Sequence, residues 1–285
     1  MTVSALGTSF AAPRAGELSR SWLLVNARYP DVFSDAAASG ADEVVLDVED
    51  AVDPRYKDSA RDGVVTWLAA GGSAWVRVNA RSTDFWDDDM RALRASDGLR
   101  GVVLAKAEHA SEVVETVDAL GGRVPVVPLV ESALGIERAL EIAQARGVLR
   151  LAFGSGDYRR DTGAANTDAA LAYPRSRLVV ASRASGLPGP IDGPTVADDE
   201  TMLSQETELA ADLGMTGRLC LRPEQAATVN RRLAPSREEI AWASAFLGEF
   251  EQSGGVIRDG SDLPRLSRAR RIRVLARTFR VGTGG

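Results

Sequence analysis

The sequence predicts an α/β fold, a TIM (β/α)8 barrel with a C-terminal helical extension. Eight short apolar runs typical of buried parallel strands alternate with amphipathic, helix-like segments over about 210 residues. None of these runs is followed by the glycine-rich fingerprint of a dinucleotide-binding turn or a P-loop. A doubly wound open sheet is the alternative fold, because alternation alone does not show that the sheet closes.

The strands are predicted from apolar runs that stop at glycine, proline or charged residues. In the second run, GADEVVLDVEDAV, Gly40 opens the strand and Pro54 follows it. The run near Pro190–Thr195 is the weakest of the eight. The predicted strands are Trp22–Asn26, Val44–Glu49, Trp75–Asn79, Val102–Lys106, Val124–Val130, Leu149–Phe153, Pro190–Thr195 and Arg218–Leu221.

Helices are predicted between these strands from apolar residues that recur with the period of a helix. They are Asp31–Ser39, Arg55–Ala69, Phe85–Ala95, Ala110–Leu120, Leu134–Gln144, Ala169–Ser185 and Glu200–Leu213.

The chain continues past the eighth strand with two further helices. Ser236–Phe250 begins with a capping-box pattern in which Ser236 is the cap and Glu239 lies at the third helical position. Gly254–Pro264 is predicted as a loop, and Leu266–Phe279 as a strongly basic helix. We therefore predict three regions, an N-terminal tail at residues 1–18, the barrel at 19–233 and the helical extension at 234–285.

The composition is that of a globular protein with an excess of acidic residues. Its 285 residues are 45% hydrophobic, and 40 acidic against 34 basic residues give a net charge of −6. This charge does not favour nucleic-acid binding, and no stretch is long and apolar enough to span a bilayer. Cys220 is the only cysteine, and residues 1–20 lack the pattern of a signal peptide, so we expect a cytoplasmic protein.

Lysine is rare in this chain. Of the 34 basic residues only Lys57 and Lys106 are lysines, and the others are arginines. Since an ammonium is a compact point charge and a guanidinium a planar fork, the two lysines either mark positions that need the compact ammonium or survive by chance.

Polar residues follow the predicted strands at the end where a TIM barrel has its active site. Three carboxylates, those of Asp47, Glu49 and Asp50, lie within four residues at the carboxyl end of the second strand. They form either a solvated acidic turn or part of a functional site. The polar strand ends are Glu49, Asp50, Arg77, Asn79, Lys106, Glu131, Asp157 and Arg222.

Glu131 and Asp157 follow consecutive strands, the fifth and the sixth, and could share one cation. A site with only two protein carboxylates suits Mg²⁺, which keeps several waters and takes substrate oxygens as its other ligands. The ligands that zinc prefers are absent, because His109 is the only histidine and Cys220 stands alone. A magnesium site at Glu131 and Asp157 is therefore predicted.

Arg77 is the natural anchor for a substrate carboxylate, since its guanidinium can bind both oxygens at once. The alternative is an ion pair with Glu49 or Asp50, and both roles can hold together. Gly154 and Gly156 flank the position of Asp157, so backbone could approach a ligand closely there.

The order and spacing of several motifs resemble the citrate lyase beta-subunit-like enzymes of the HpcH/HpaI aldolase superfamily. The match runs from about Ser19 to Arg270 and includes GADEVVLDVEDAV, RVN, KAE, VESALG, FGSGD and RPEQ. The resemblance implies a TIM barrel, an oligomer (a homotrimer or a multiple of it), magnesium on Glu131 and Asp157, and substrate on Arg77 and Glu131. It also implies that carbon–carbon bonds between an acyl-CoA and a 2-oxo acid are cleaved or formed.

Several positions depart from that family's pattern. Asp50 follows Glu49 where the related pyruvate aldolases carry a histidine, which favours the acyl-CoA branch. Asn26 stands where a proline is usual, Tyr29 where an arginine is usual, and Arg222 where a histidine is usual. These changes bear on substrate identity more than on the metal.

The leading hypothesis is a magnesium-dependent lyase that acts on a 3-hydroxyacyl-CoA of the malyl, citramalyl or citryl type. Glu49 or Asp50 is the candidate base for proton transfer, with Lys106 as a third catalytic candidate. One alternative is an aldolase that joins pyruvate or oxaloacetate to a small aldehyde. Another is a barrel that has lost catalysis and works as a binding or assembly subunit.

Overall fold

A computed structural model of the protein describes residues 16–282, and its eight parallel strands close into a barrel. Strand order follows chain order, and β1 pairs with both β2 and β8. The strands are β1 (Ser21–Asn26), β2 (Glu43–Asp47), β3 (Ala74–Val78), β4 (Leu99–Leu104), β5 (Val126–Val130), β6 (Ala152–Phe153), β7 (Ile191–Asp192) and β8 (Gly217–Cys220). Closure confirms the predicted TIM barrel and excludes the open doubly wound sheet.

Helices separate the strands, as the alternating pattern predicts. Short 3₁₀ turns at Pro30–Val32 and Pro54–Tyr56 lead into the first two helices. The helices are α1 (Phe33–Ala37), α2 (Lys57–Ala69), α3 (Asp84–Leu93), α4 (Ala110–Ala119), α5 (Ala133–Glu137), α6 (Ala139–Ala143), α7 (Ser155–Thr162), α8 (Asp168–Ala184), α9 (Glu200–Asp212), α10 (Pro223–Arg232), α11 (Arg237–Gln252) and α12 (Asp262–Thr278).

Three helices differ from the predicted ones, among them α10 (Pro223–Arg232), which is absent from the prediction. The single helix predicted at Leu134–Gln144 is divided at Arg138, whose ψ of 8° lies outside the helical range. Helix α7 is absent from the prediction, because its sequence SGDYRRDT has no apolar periodicity. It is ended by Gly163, which has the left-handed φ of 73° that favours glycine.

The barrel interior is filled by apolar side chains from alternate positions of the strands, including Trp22, Val45, Trp75, Leu129 and Ile191. Trp22 and Trp75 meet edge to face with ring centroids 5.0 Å apart. The interior is thus a packed core, and the polar residues that follow the strands lie at its carboxyl end.

The opposite end of the barrel is closed around Arg150, whose side chain is fully buried. Its guanidinium donates to the backbone oxygens of Ser19 at 2.6 Å and Gly189 at 3.0 Å and to Oγ1 of Thr216 at 3.0 Å. Burial lowers the pKa of Arg150 to about 9. This end contributes to stability and lies away from the candidate site.

The described chain divides into two compact units, one ending at Val229 and the other beginning at Asn230. In the second unit α11 and α12 pack through Phe246, Leu247, Leu266 and Ile272. The predicted boundary between residues 233 and 234 stays a prediction, and residues 1–15 of the predicted tail lie outside the described residues. Helix α12 begins at Asp262, so the predicted loop at Gly254–Pro264 is three residues too long.

The predicted capping box of α11 is confirmed. The Ser236 hydroxyl accepts from the Glu239 N–H, and the Glu239 carboxylate accepts from the Ser236 N–H, each at 3.1 Å. Within residues 16–282, none of the helices combines the length and the apolar character needed to cross a membrane.

Candidate active site

The carboxyl ends of β2, β3 and β4 bring together Glu49, Asp50, Arg77 and Lys106. The Lys106 ammonium donates to Oε1 of Glu49 at 2.6 Å and to both carboxylate oxygens of Asp50 at 3.0 and 3.1 Å. Nη1 of Arg77 lies 3.6 Å from Oε2 of Glu49. The two basic groups therefore hold the acidic turn, and Glu49 contacts both of them.

Arg77 pairs most closely with Asp47, which sequence reasoning did not single out as its partner. Its Nε and Nη2 donate to the two carboxylate oxygens of Asp47 at 2.8 and 2.6 Å. The strand register explains the pair, because Asp47 on β2 and Arg77 on β3 are direct neighbours. The fork predicted to hold a substrate carboxylate is thus occupied by a buried Asp47, and Nη1 is the part of Arg77 that faces Glu49.

Glu49 and Asp50 lie in different environments. Burial raises the pKa of Glu49, and the charges of Arg77 and Lys106 only partly offset this effect. Burial also acts to raise the pKa of Asp50. Hydrogen bonds with Lys106 and Glu49 outweigh this effect, so the pKa of Asp50 is lowered. The Glu49 side chain is 4% exposed and that of Asp50 52% exposed. Of the two, Glu49 is the better base by environment.

Lys106 has a left-handed backbone, with φ of 51°. This conformation is uncommon for a residue with a side chain and is often found at functional sites. It directs the ammonium toward Glu49 while the Lys106 N–H donates to Oε1 of Glu131 at 2.8 Å. One residue therefore connects the acidic turn after β2 with the carboxylate that follows β5.

Glu131 is buried next to other acidic groups. Burial raises the pKa of Glu131 to about 8, and the negative charges of Asp157 and Glu49 act in the same direction. The Lys106 N–H and the charge of Arg77 oppose this rise without cancelling it. Two carboxylates that repel each other in a buried site are the donor set that a divalent cation neutralises.

Gly154 fixes the Glu131 carboxylate by close approach. A Cβ at this position would lie 2.2 Å from Oε2 and 2.5 Å from Cβ of Glu131, so only glycine leaves space for the side chain. Among the described residues, no group donates a hydrogen bond to Oε2 of Glu131. That oxygen is therefore free to bind a cation.

Asp157 lies in the first turn of α7, and its side chain is 22% exposed. Arg160, one turn later, contacts it at 3.1 Å from the solvent side. Residues 16–282 contain no group of three or more His, Cys, Asp and Glu side chains that could hold a metal ion. The charge of Asp157 acts on the Glu131 carboxyl, and such a pair fits a cation that takes two carboxylates and completes its shell with water and substrate, as Mg²⁺ does.

Asn26 and Arg222, two of the positions that depart from the family's pattern, have hydrogen-bond partners in neighbouring loops. Nδ2 of Asn26 donates to the Ala51 carbonyl at 2.7 Å, so the first loop is tied to the acidic turn. Arg222 donates to the Ala197 carbonyl at 2.8 Å. Tyr29 is 61% exposed. Both loop contacts bind one strand-end loop to another.

Two family descriptions match this chain. The first, HpcH/HpaI aldolase/citrate lyase, covers residues 20–223, and the second, the HpcH/HpaI aldolase C-terminal domain, covers residues 238–280. The first match takes in all eight strands and every candidate site residue.

Three known proteins illustrate the similarity. Citrate lyase subunit beta of Leuconostoc mesenteroides subsp. cremoris is 30% identical over 91% of this chain and 93% of the relative. Human mitochondrial citramalyl-CoA lyase is 30% identical over 84% of this chain and 80% of the relative. The structure of CitE from Mycobacterium tuberculosis in complex with magnesium, acetoacetate and coenzyme A superposes with a TM-score of 0.77, at 29% identity over 91% of this chain and 98% of that one. By its sequence and its fold, the chain belongs to the HpcH/HpaI aldolase/citrate lyase family.

Proposed function

We propose that this protein is a magnesium-dependent carbon–carbon lyase that cleaves or forms a 3-hydroxyacyl-CoA of the malyl, citramalyl or citryl type. The products of cleavage are an acyl-CoA and a 2-oxo acid. The observation that carries the proposal is the meeting of Glu49, Arg77, Lys106, Glu131 and Asp157 at one end of the barrel. Similarity to a citramalyl-CoA lyase and to a protein bound to magnesium and coenzyme A supports it.

Glu131 and Asp157 are the residues that would hold Mg²⁺. When bound, the ion supplies Lewis-acid stabilisation for the carboxylate and the neighbouring oxygen of the 2-oxo acid portion. Glu131 is also a substrate-binding residue in this proposal, and the Lys106 N–H and the close approach of Gly154 hold its carboxylate in place. Arg77 orients the substrate through Nη1, while Asp47 holds the rest of the guanidinium in place.

Glu49 is the base in this proposal. In the cleavage direction it takes the proton of the substrate hydroxyl as the carbon–carbon bond breaks, and the bonding electrons pass to the acyl-CoA portion as an enolate. The enolate then takes up a proton to give the acyl-CoA, and Glu49 releases the proton that it accepted, which restores the base. Lys106, hydrogen-bonded to Glu49 at 2.6 Å, favours the ionised form that can accept the proton.

A substrate panel tests the proposal. Malyl-CoA, citramalyl-CoA and citryl-CoA are each incubated with the protein with and without Mg²⁺, and release of a 2-oxo acid is followed. We expect magnesium-dependent release from at least one thioester. Absence of release from all three, with turnover of pyruvate or oxaloacetate plus an aldehyde, would favour an aldolase. Magnesium binding without turnover on any substrate would favour a non-catalytic subunit.

The assembly and the cellular location also remain predictions. We propose a homo-oligomer, a trimer or a multiple of it, in the cytoplasm, and no nucleic-acid or membrane partner. Sedimentation of the full chain at several concentrations tests the assembly. A single species with the mass of one chain, 30.2 kDa, at every concentration would contradict it.

A further inference from the structure

Both lysines of the chain converge on the same residue. Lys106 holds the Glu49 carboxylate, and Lys57 holds the backbone carbonyl of the same residue. Only two of the 34 basic residues are lysines, so their meeting at one glutamate needs a physical explanation. Lys57 has no role in the function proposed above.

The Lys57 ammonium is buried and makes three hydrogen bonds. Nζ donates to the carbonyl oxygens of Val48 at 2.8 Å and Glu49 at 2.7 Å and to Oδ1 of Asn79 at 2.8 Å. Lys57 is 5% exposed and forms no ion pair with a carboxylate in the described part of the chain. Three acceptors that converge on one point match the three N–H donors of an ammonium, and a planar guanidinium could not satisfy all of them from that point.

The third acceptor is itself fixed. Asp89 accepts from the backbone N–H of Asn79 at 2.9 Å and from its Nδ2 at 2.7 Å, so Oδ1 of Asn79 points toward Lys57. Nε of Arg61 in turn donates to Asp89 at 3.0 Å. Because Arg61 and Lys57 both belong to α2, this chain of contacts holds the start of the helix against the ends of β2 and β3.

We propose that Lys57 is a positioning residue that fixes Glu49 in its reactive geometry. Holding two consecutive carbonyls sets the direction of the backbone at Glu49 and hence the direction of its side chain toward Lys106. A displacement of about 1 Å at a reacting group can lower a rate by about 100-fold. The assignment rests on the proposed function, in which Glu49 is the base. The competing explanation is that Lys57 only adds stability to the turn.

Matched variants separate the two explanations. Lys57→Met removes the ammonium and keeps the length of the side chain. Arg150→Met removes another buried cation, also held by carbonyls, at the far end of the barrel. We expect Lys57→Met to lower kcat by at least about 30-fold with KM and magnesium affinity within about twofold of the parent. Arg150→Met should lower the melting temperature while kcat per folded molecule stays within about twofold.

A second measurement does not depend on activity. Protein labelled with ¹⁵N-lysine gives two side-chain ammonium signals, since the chain has two lysines. In metal-free protein at fixed pH, Lys57→Met should leave only the Lys106 signal, and that signal should be displaced because Glu49 has moved. Arg150→Met should leave both signals in place. If Lys57→Met does not fold, Lys57→Arg serves instead, with kcat lowered at least about tenfold and the Lys106 signal displaced.

The outcomes distinguish failure of this inference from failure of the proposed function. A Lys57 variant that is destabilised but keeps the parent kcat and the parent Lys106 signal would overturn the positioning role. A parent without lyase activity would overturn the proposed function alone, and the Lys106 signal would still decide whether Lys57 positions Glu49.

Discussion

Asp47 and Arg77 form a two-point ion pair between neighbouring strands, with donor–acceptor distances of 2.8 and 2.6 Å. Asp47 is 2% exposed, so a change at Arg77 would leave a buried carboxylate without its ion-pair partner. The pair has two consequences. It holds the guanidinium where Nη1 faces Glu49, and it gives Arg77 a part in stability besides the substrate orientation proposed above.

Arg77→Lys should therefore lower both stability and rate. A lysine keeps the charge but not the two parallel hydrogen bonds, so we expect unfolding free energy to fall by about 1–3 kcal/mol. Turnover per folded molecule should fall at least about tenfold, which corresponds to roughly 1.4 kcal/mol of transition-state stabilisation. Denaturant unfolding and steady-state kinetics on one preparation measure both quantities. A destabilised variant with parental turnover would limit Arg77 to the structural role.

Glu49→Gln and Asp50→Asn should have unequal effects. Glu49 is buried, has a raised pKa and contacts both Lys106 and Arg77, whereas Asp50 is half exposed and has a lowered pKa. We expect kcat to fall by at least about 100-fold for Glu49→Gln and by less than about tenfold for Asp50→Asn. Equal losses would show that the two carboxylates act together, and a larger loss at Asp50 would exclude Glu49 as the base.

The sequence carries enough information for the barrel but not for all of its details. Apolar runs mark every strand, but their number does not show that the sheet closes, which depends on the pairing of β1 with β8. Helices α7 and α10 are absent from the prediction. The polar sequence of α7 has no core-facing stripe, and the helix is bounded by Gly154 at its start and Gly163 at its end.

At the candidate site, the residue types were visible in the sequence but their pairing was not. Asp47 is the partner of Arg77 because of the register of two parallel strands, which spacing along one strand does not reveal. Lys57, at the start of α2, donates to the backbone oxygens of the two residues that follow β2. This contact depends on the path of the turn between β2 and α2.

Asp157→Asn should weaken magnesium binding while the fold is kept. The change removes the negative charge and almost no volume, so the affinity should fall at least about tenfold. Asp161→Asn is the matched control, because Asp161 lies in the same helix and caps the Ala133 N–H at 2.8 Å. Calorimetric titration with Mg²⁺ and thermal melting compare the three proteins. Parental affinity in Asp157→Asn would exclude it as a ligand.

The raised pKa of Glu131 predicts that magnesium affinity depends on pH. In the metal-free folded protein, burial raises the pKa of Glu131 from its ordinary value of 4.5 to about 8. The carboxyl is therefore mostly protonated below about pH 8. The folded protein holds this proton more tightly than the unfolded chain does. Its free energy of unfolding should therefore fall as the pH rises from 4.5 to about 8. Mg²⁺ binds the ionised form, so its affinity should increase by up to about tenfold per pH unit below pH 8 and then level off.

Magnesium titrations at several pH values measure this slope, and Glu131→Gln is the control. The variant has no proton to release at this position, so its weaker binding should lack the dependence that Glu131 causes. The range from pH 6 to pH 8 lies below the raised pKa of Glu131, which is about 8. A parent protein whose magnesium affinity does not change over this range would contradict the assignment of Glu131 as a ligand.

Gly154→Ala and Gly156→Ala test whether the position of the Glu131 carboxylate matters. A Cβ at Gly154 would meet Oε2 of Glu131 at 2.2 Å, whereas a Cβ at Gly156 has no atom within 4 Å. We expect Gly154→Ala to push the carboxylate aside and to lower magnesium affinity at least about tenfold, together with kcat. Gly156→Ala, in the first turn of α7, should bind and turn over as the parent does, with stability equal or slightly higher. Loss of magnesium binding in both variants would indicate that the backbone of the turn, and not the Glu131 carboxylate, is what the substitution disturbs. Parental binding in Gly154→Ala would show that Glu131 does not hold the ion.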